Sequence, residues 1–267
     1  MARENYDSES THGPFHSWLL SLVFHRVRRD RGNSRGTDRS AVGVNGLGAL
    51  LAAGAMALAS CSSAASAEET FNAPAATRTA REGSGLKTAI FAGGCFWGVE
   101  AVFSHTKGVT SAVSGYHGGS AATANYERIN QGDTGHAEAV KVTYDPSVVR
   151  YDQLLRILFS VVADPTALNY QGPDRGTQYR AAIVPLSAEQ RAVAAAYLAQ
   201  MRSSGVWRKP IVVAIEPAKR FYPAEAYHQD FAQKNPNHPY IQRWDAPKVA
   251  AFREMFPSLY HASFTRG

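Results

Sequence analysis

Cysteine is nearly absent: the 267 residues hold two, Cys61 and Cys95. Two thiols cannot build a disulfide framework or a cysteine-rich metal centre. Histidine does not fill that gap, because His117, His136 and His228 lack ligand spacing, so no metal is expected. His238 and His261 read as surface loop residues. Charge of one sign is also scarce. Of a net charge of +6 at pH 7, +2 falls in residues 1–60, where seven Arg face five acids. The remainder is spread without a basic stripe or an aromatic-plus-basic motif, so no nucleic-acid partner is expected. Internal repeats are missing, and so is a dinucleotide-type glycine fingerprint.

What is present begins with an export-like N-terminus. Residues 1–40 are polar and aperiodic apart from WLLSLVF (18–24), and read as disordered or removed. Arg26, Arg28, Arg29, Arg31, Arg35 and Arg39 then precede an uncharged Ala/Gly/Leu-rich stretch, Ala41 to Ser60. A basic region, an apolar region and a small-residue site make a secretory signal. The ending Leu58-Ala59-Ser60-Cys61 resembles a bacterial lipoprotein processing site, which makes Cys61 the lipidated first residue of a mature, extracytoplasmic, membrane-attached protein. The alternatives are an ordinary cleaved signal with a periplasmic product, an uncleaved anchor, or a mis-set start codon with a cytoplasmic product. Residues 1–61 thus form an N-terminal extension. Residues 62–85, small, polar and Pro-containing, read as a flexible tether. The folded domain spans residues 86–260, roughly 175 residues and one domain by size, followed by a C-terminal tail, 261–267.

The domain is organised around Gly93-Gly94-Cys95-Phe96-Trp97-Gly98. Lys87 to Ala92 (KTAIFA) reads as a short apolar strand; Phe96, Val99 and Phe103 recur at helical spacing. Cys95 therefore sits where a strand turns through two glycines into a helix. Unpaired backbone N–H groups and the positive end of the helix dipole lie beside such a sulfur, which predicts a lowered thiol pKa and a reactive thiolate. Downstream come an apolar run, Val109 to Ser114, a Gly-rich loop, Gly115 to Gly135, and an alternating strand, Ala137 to Tyr144. A helix over Tyr151 to Val162 follows, then a polar loop, Ala163 to Gln178, and a strand, Tyr179 to Pro185. Ser187 with Gln190 opens a helix to about Met201 through a capping box. Ile211 to Glu216 is a further strand, and Pro247 to Phe256 a short helix. The order β-α-β-α-β-α-β predicts an α+β fold, a two-layer α/β sandwich with a mixed sheet.

Both long loops carry chemistry, and long loops in compact domains are more often functional than idle. The first holds Tyr126 and ends at Gly135-His136-Ala137-Glu138, where Glu138 opens a strand although carboxylates are poor strand formers. The second holds Asn169-Tyr170-Gln171-Gly172, Asp174 and Gly176-Thr177-Gln178-Tyr179-Arg180. Together GCFWG, GHAE, NYQGPDRGTQYR and EAYHQDF, in that order over residues 86–260, resemble the A-type peptide methionine sulfoxide reductases (peptide-methionine (S)-S-oxide reductases).

That resemblance implies a ferredoxin-like core with long loops. The implied reaction is thiol-dependent reduction of methionine S-sulfoxide, free or within oxidised proteins, through a sulfenic acid on Cys95. Phe96 and Trp97 match the aromatic walls that receive the S-methyl group. Glu138 matches the acid that protonates the sulfoxide oxygen, Tyr126 and Tyr179 the phenols that hydrogen-bond it, and Asp174 a carboxylate that orients the site. His228 falls at a substrate-binding position. No cofactor is implied beyond an external thiol reductant, a thioredoxin-like protein or a small thiol such as glutathione. The stretch Lys234 to Tyr240, where many relatives carry resolving cysteines, contains none. The expected state is a monomer. Two other readings remain open: a cysteine hydrolase using His136 or His228 as base, and a binding module built on Phe221, Tyr222, Tyr227, Tyr240 and Trp244.

Overall fold

A computed structural model describes residues 70–267. The expected signal segment, Cys61 and residues 62–69 of the expected tether lie outside the described residues. In chain order the elements are β1 (Lys87–Gly93), α1 (Phe96–Ser104), β2 (Val109–His117), α2 (Tyr126–Ile129) and β3 (Ala137–Tyr144). Next come α3 (Tyr151–Ile157), prolonged by a π-helical turn (Leu158–Val162), and a small hairpin, β4 (Tyr170–Gln171) with β5 (Asp174–Arg175). A 3-10 turn (Thr177–Tyr179) leads to β6 (Ala181–Val184), α4 (Ala188–Ser203), β7 (Ala214–Ile215) and β8 (Phe221–Pro223). The chain closes with α5 (Phe231–Lys234), a second π-helical turn (Ile241–Asp245) and α6 (Ala246–Met255).

The main sheet runs β7-β6-β1-β3-β2-β8. Every neighbouring pair is antiparallel except β6 with β7, so the sheet is mixed. Its inner order β6-β1-β3-β2, threaded β1-α1-β2-β3-α3-β6, is the ferredoxin-like arrangement expected. β1 owes its central place to a nearly unbroken apolar run, since a strand paired on both edges and covered on both faces has no polar side. Phe91 sits opposite Val140 on one side and Ile183 on the other. Its ring points into the helical layer, stacking on Phe103 at 5.1 Å and Tyr151 at 5.9 Å. The alternate residues, Ile90 and Ala92, join Ala137, Ala139, Ala182 and Val184 on the opposite face. α1 is buried along its length apart from Trp97, which suits an element whose first turn must be held still.

Several elements differ from the expectation, each for a non-local reason. Strand pairing extends β2 to His117, because Tyr116 and His117 find partners in both β3 and β8. Tyr179 lies in the 3-10 turn and not in the strand, which begins at Ala181. Only Ala214 and Ile215 of the apolar run Ile211 to Glu216 pair as strand. Ser187 caps α4 by accepting from the Gln190 N–H at 3.1 Å, while the Gln190 side chain reaches back to the Leu186 N–H at 2.8 Å.

The flexible tether is corrected over residues 70–85. There the chain is strapped across the helices. Phe71 N–H donates to the Ser160 carbonyl at 3.0 Å and Ala73 N–H to Ser160 Oγ at 3.2 Å. The Tyr197 hydroxyl donates to the Pro74 carbonyl at 2.9 Å, and the Ala80 N–H donates to Asp152 at 2.8 Å. Arg78 pairs with Glu189, and Tyr144 donates to Glu82 at 2.7 Å. Small side chains let this backbone lie close to the helices, and helix side chains satisfy its polar groups, so low hydrophobicity did not translate into freedom. The C-terminal tail is likewise attached: His261 and Thr265 donate to the carbonyls of His105 and Ser104 at the end of α1.

Candidate active site

Gly94 makes the turn into α1. Its φ is +91°, and a Cβ there would lie 2.5 Å from Gln171 Cβ, so both backbone sign and space demand glycine. Cys95 follows as the N-cap residue of α1, with its sulfur at the helix start beside the N–H groups of the first turn. The environment of that sulfur overturns the lowered pKa expected from helix position. Burial pushes the Cys95 thiol well above its ordinary value, and the facing carboxylates of Glu138, Asp245 and Asp174 push it the same way. A hydrogen bond from the Trp97 N–H opposes them and does not prevail. In the resting site Cys95 is a thiol.

Glu138, 1 % exposed at the start of β3, accepts the Phe96 N–H at 2.9 Å. That N–H is one of the orphan donors of the first turn of α1, so the carboxyl both anchors the helix start and is fixed beside Cys95. Burial, with smaller contributions from Asp174 and Asp245, raises Glu138 from 4.5 to about 8, against the Phe96 hydrogen bond. The reason for a carboxyl in this strand is now visible. It is kept protonated at neutral pH.

Around this pair the structure assembles the remaining expected residues from separate elements. Tyr179, in the 3-10 turn, has its phenol raised by burial and by the proximity of Glu138, Asp174, Tyr126 and Cys95. Tyr126, at the start of α2, is raised by burial first and Glu138 next. Both phenols are therefore neutral donors beside the acid. Asp174, in β5, accepts a hydrogen bond from the Tyr240 hydroxyl.

The aromatic pair after Cys95 divides its labour. Phe96, expected as a wall, is 1 % exposed and packs beneath the site against Tyr116 and His228. Trp97 is half-buried, with one face stacked on Phe231 at 3.7 Å and the edges of His238 and Tyr240 against it. His228 accepts the Trp97 indole N–H on Nδ1 at 3.1 Å, so its proton sits on Nε2, which is buried with no hydrogen-bond partner among the described residues. Its ring is also pressed against Tyr126 at 4.4 Å. His136 is committed at both nitrogens, to the Gly119 N–H and the Ser120 carbonyl, and His228 serves Trp97, so neither stands as the base a cysteine hydrolase needs.

Two contributors, Asp245 and Glu225, escaped the sequence reading, and Tyr240 entered it only as an aromatic of a binding module. Tyr240 caps the second π-helical turn and Asp245 is its last residue, and such turns are common at functional sites. Asp245 is buried against α1 so closely that a Cβ on Gly98 would lie 2.3 Å from its Oδ1. Glu225 accepts hydrogen bonds from Tyr116 and Tyr126. The signal for Tyr240 lay in its loop of Pro, Asn and His, but nothing in that stretch says which phenol turns inward.

Residues 87–259 match the family model described as peptide methionine sulfoxide reductase. The chain belongs to that family. It is 55% identical over 176 residues to the peptide methionine sulfoxide reductase MsrA 2 of Mesorhizobium japonicum, covering 66% of this chain and 90% of the relative. It is 46% identical over 174 residues to the MsrA of Deinococcus radiodurans, covering 65% of this chain and 84% of that one. Among solved structures, the reduced form of Mxr1 from Saccharomyces cerevisiae aligns with a TM-score of 0.53 and 33% identity, over 61% of this chain and 92% of the other. The matched family region contains every residue named above as a site component.

Proposed function

We propose that Cys95 attacks the sulfur of a methionine S-sulfoxide while Glu138 delivers a proton to the sulfoxide oxygen. The observation that carries this reading is a buried, protonated carboxyl at the same helix start as the lone thiol of the domain. Protonation makes the oxygen a leaving group, and Tyr126 and Tyr179 hydrogen-bond it as charge develops. The Cys95 sulfur bonds to the sulfoxide sulfur as the S–O bond breaks and the oxygen leaves as water, carrying the Glu138 and thiol protons. Water then attacks the Cys95 sulfur, breaking the S–S bond, so that thiol plus sulfoxide gives sulfenic acid plus thioether. The attacking water leaves one hydrogen on the sulfenic acid and returns the other to the Glu138 carboxylate, so the acid is restored. The exposed face of Trp97, opposite Phe231, supports an apolar seat for the S-methyl group. His228, through its Nδ1 bond to the Trp97 indole, holds that ring in place for the substrate.

No second cysteine lies in the domain to resolve the sulfenic acid. An external thiol therefore condenses with it, forming a mixed disulfide and water, and a second thiol frees Cys95 and leaves with the first as a disulfide. Substrates of this chemistry are methionine sulfoxide in oxidised proteins or as the free amino acid.

The test uses separated S and R epimers of a blocked methionine sulfoxide with dithiothreitol, wild type beside Cys95→Ser. Turnover of the S epimer alone, abolished in the variant, is the expected result. Turnover in Cys95→Ser, or none in folded wild type, overturns the reading. After one turnover without reductant, mass spectrometry should find oxygen on Cys95 and no Cys61–Cys95 disulfide.

A further inference from the structure

Glu225 makes two bonds that the reaction sequence leaves without a purpose. Its carboxylate accepts the Tyr116 hydroxyl at 2.8 Å and the Tyr126 N–H at 3.0 Å. Burial alone would raise this carboxyl, but those donors, the Tyr126 N–H foremost, bring it below the ordinary value, so it is ionised at neutral pH. Tyr116 is a fully buried β2 residue directly opposite Glu138 in the β2–β3 register. Tyr126 opens a helix of only four residues, too short to hold its own orientation. Its position depends on what takes its leading N–H groups: Asn125 takes that of Arg128 at 3.1 Å, and Glu225 takes that of Tyr126. One carboxylate thus spans from the strand register of the acid to the helix that carries the phenol.

The same turn grips the other side of the site. His228 N–H donates to the Glu225 carbonyl at 2.9 Å, and the imidazole at that end holds the Trp97 indole and leans on the Tyr126 ring. We propose that Glu225 is a positioning residue for the reduction, locking the Tyr126 phenol in register with Glu138 where the sulfoxide oxygen must sit. This rests on the reading of Tyr126 as a donor to that oxygen. Glu225 acts through Tyr126 and does not touch substrate.

The test is a double-mutant cycle in the full chain, measuring methionine formation in a single turnover without reductant so that thiol recycling does not enter. Tyr126→Phe should slow the step about 10²-fold. Glu225→Ala should slow it about tenfold with substrate affinity altered less than about twofold. In the Tyr126→Phe background Glu225→Ala should add less than about twofold, because its effect passes through the missing hydroxyl. Glu225→Gln should restore most of the rate, since its amide oxygen can accept the Tyr126 N–H while its NH2 donates to the Tyr116 oxygen. Losses that multiply in the double variant, or a wild-type rate for Glu225→Ala, overturn the proposal while leaving the Tyr126 reading intact. A wild-type rate for Tyr126→Phe removes the Tyr126 reading and the proposal together. Should Glu225→Ala fail to fold, Glu225→Asp, too short to reach both donors, takes its place in the cycle.

Discussion

The Cys95 thiol and the Glu138 carboxyl are coupled through their surroundings: each lies in the low-dielectric pocket that disfavours charge on the other. At neutral pH the resting pair is thiol and carboxylic acid, and the acid is the form the chemistry needs. Because Glu138 titrates at about 8, its proton is present below that pH and lost above it. The single-turnover rate should therefore fall as pH rises through about 8. Glu138→Gln should remove that alkaline limb and lower the rate at pH 7 on the order of 10²-fold. A limb that persists in the variant assigns the titration to another group. Glu138 was legible as the acid through the resemblance of GHAE to the family motif; a carboxylate opening a strand fits a solvated strand end equally well. The raised thiol pKa was not legible, since helix position is local information and the opposing carboxylates arrive from three other elements.

α1 shows what an element must give up to present such a site. It contributes Cys95 at its start, yet it also buries Glu100, whose Oε2 accepts the Asp230 N–H at 2.9 Å. Burial first, then the nearby Asp230, raises Glu100 from 4.5 to about 8. The folded protein therefore binds a proton that the unfolded chain releases above about pH 4.5. The stability it contributes is complete below that value and is lost as pH rises to about 8. Urea midpoints should decline over that window, and Glu100→Gln should reduce the decline without abolishing it, because Glu138 slopes the same way. An unchanged slope would mean that Glu100 titrates normally. The helix itself was readable from its 3.6 spacing, as β3 was from its alternation, β1 from its apolar run and α4 from its capping box. β7 was read as a strand over Ile211 to Glu216, of which only two residues find a partner edge, while β8, of three residues, carries no period to read.

At the scale of the whole molecule, residues 70–85 belong to the fold. A chain starting at Thr70 should melt on the order of 10 °C above one starting at Leu86, since several hydrogen bonds at about 1 kcal/mol each are lost with the strap. The folded part of the shorter protein should still reduce the S epimer, because no strap residue reaches Cys95. Equal melting temperatures would show the strap to be passive. Composition misled here for a physical reason: the strap's own side chains bury little, and its partners, Ser160, Asp152, Glu189, Tyr197 and Gln200, are written far away in the chain.

The same strap sets how the protein answers a mechanical load. A pull entering at residue 70 meets Phe71 and Ala73 first, and then the bonds at Pro74, Thr77, Arg78, Ala80 and Glu82 in turn. Fully extended, the strap spans at most about 55 Å. Strand β1 is the next element to be stressed, and Cys95 lies just beyond it. A pull from the N-terminal side therefore has to break the strap's bonds before it loads the strand that leads into Cys95.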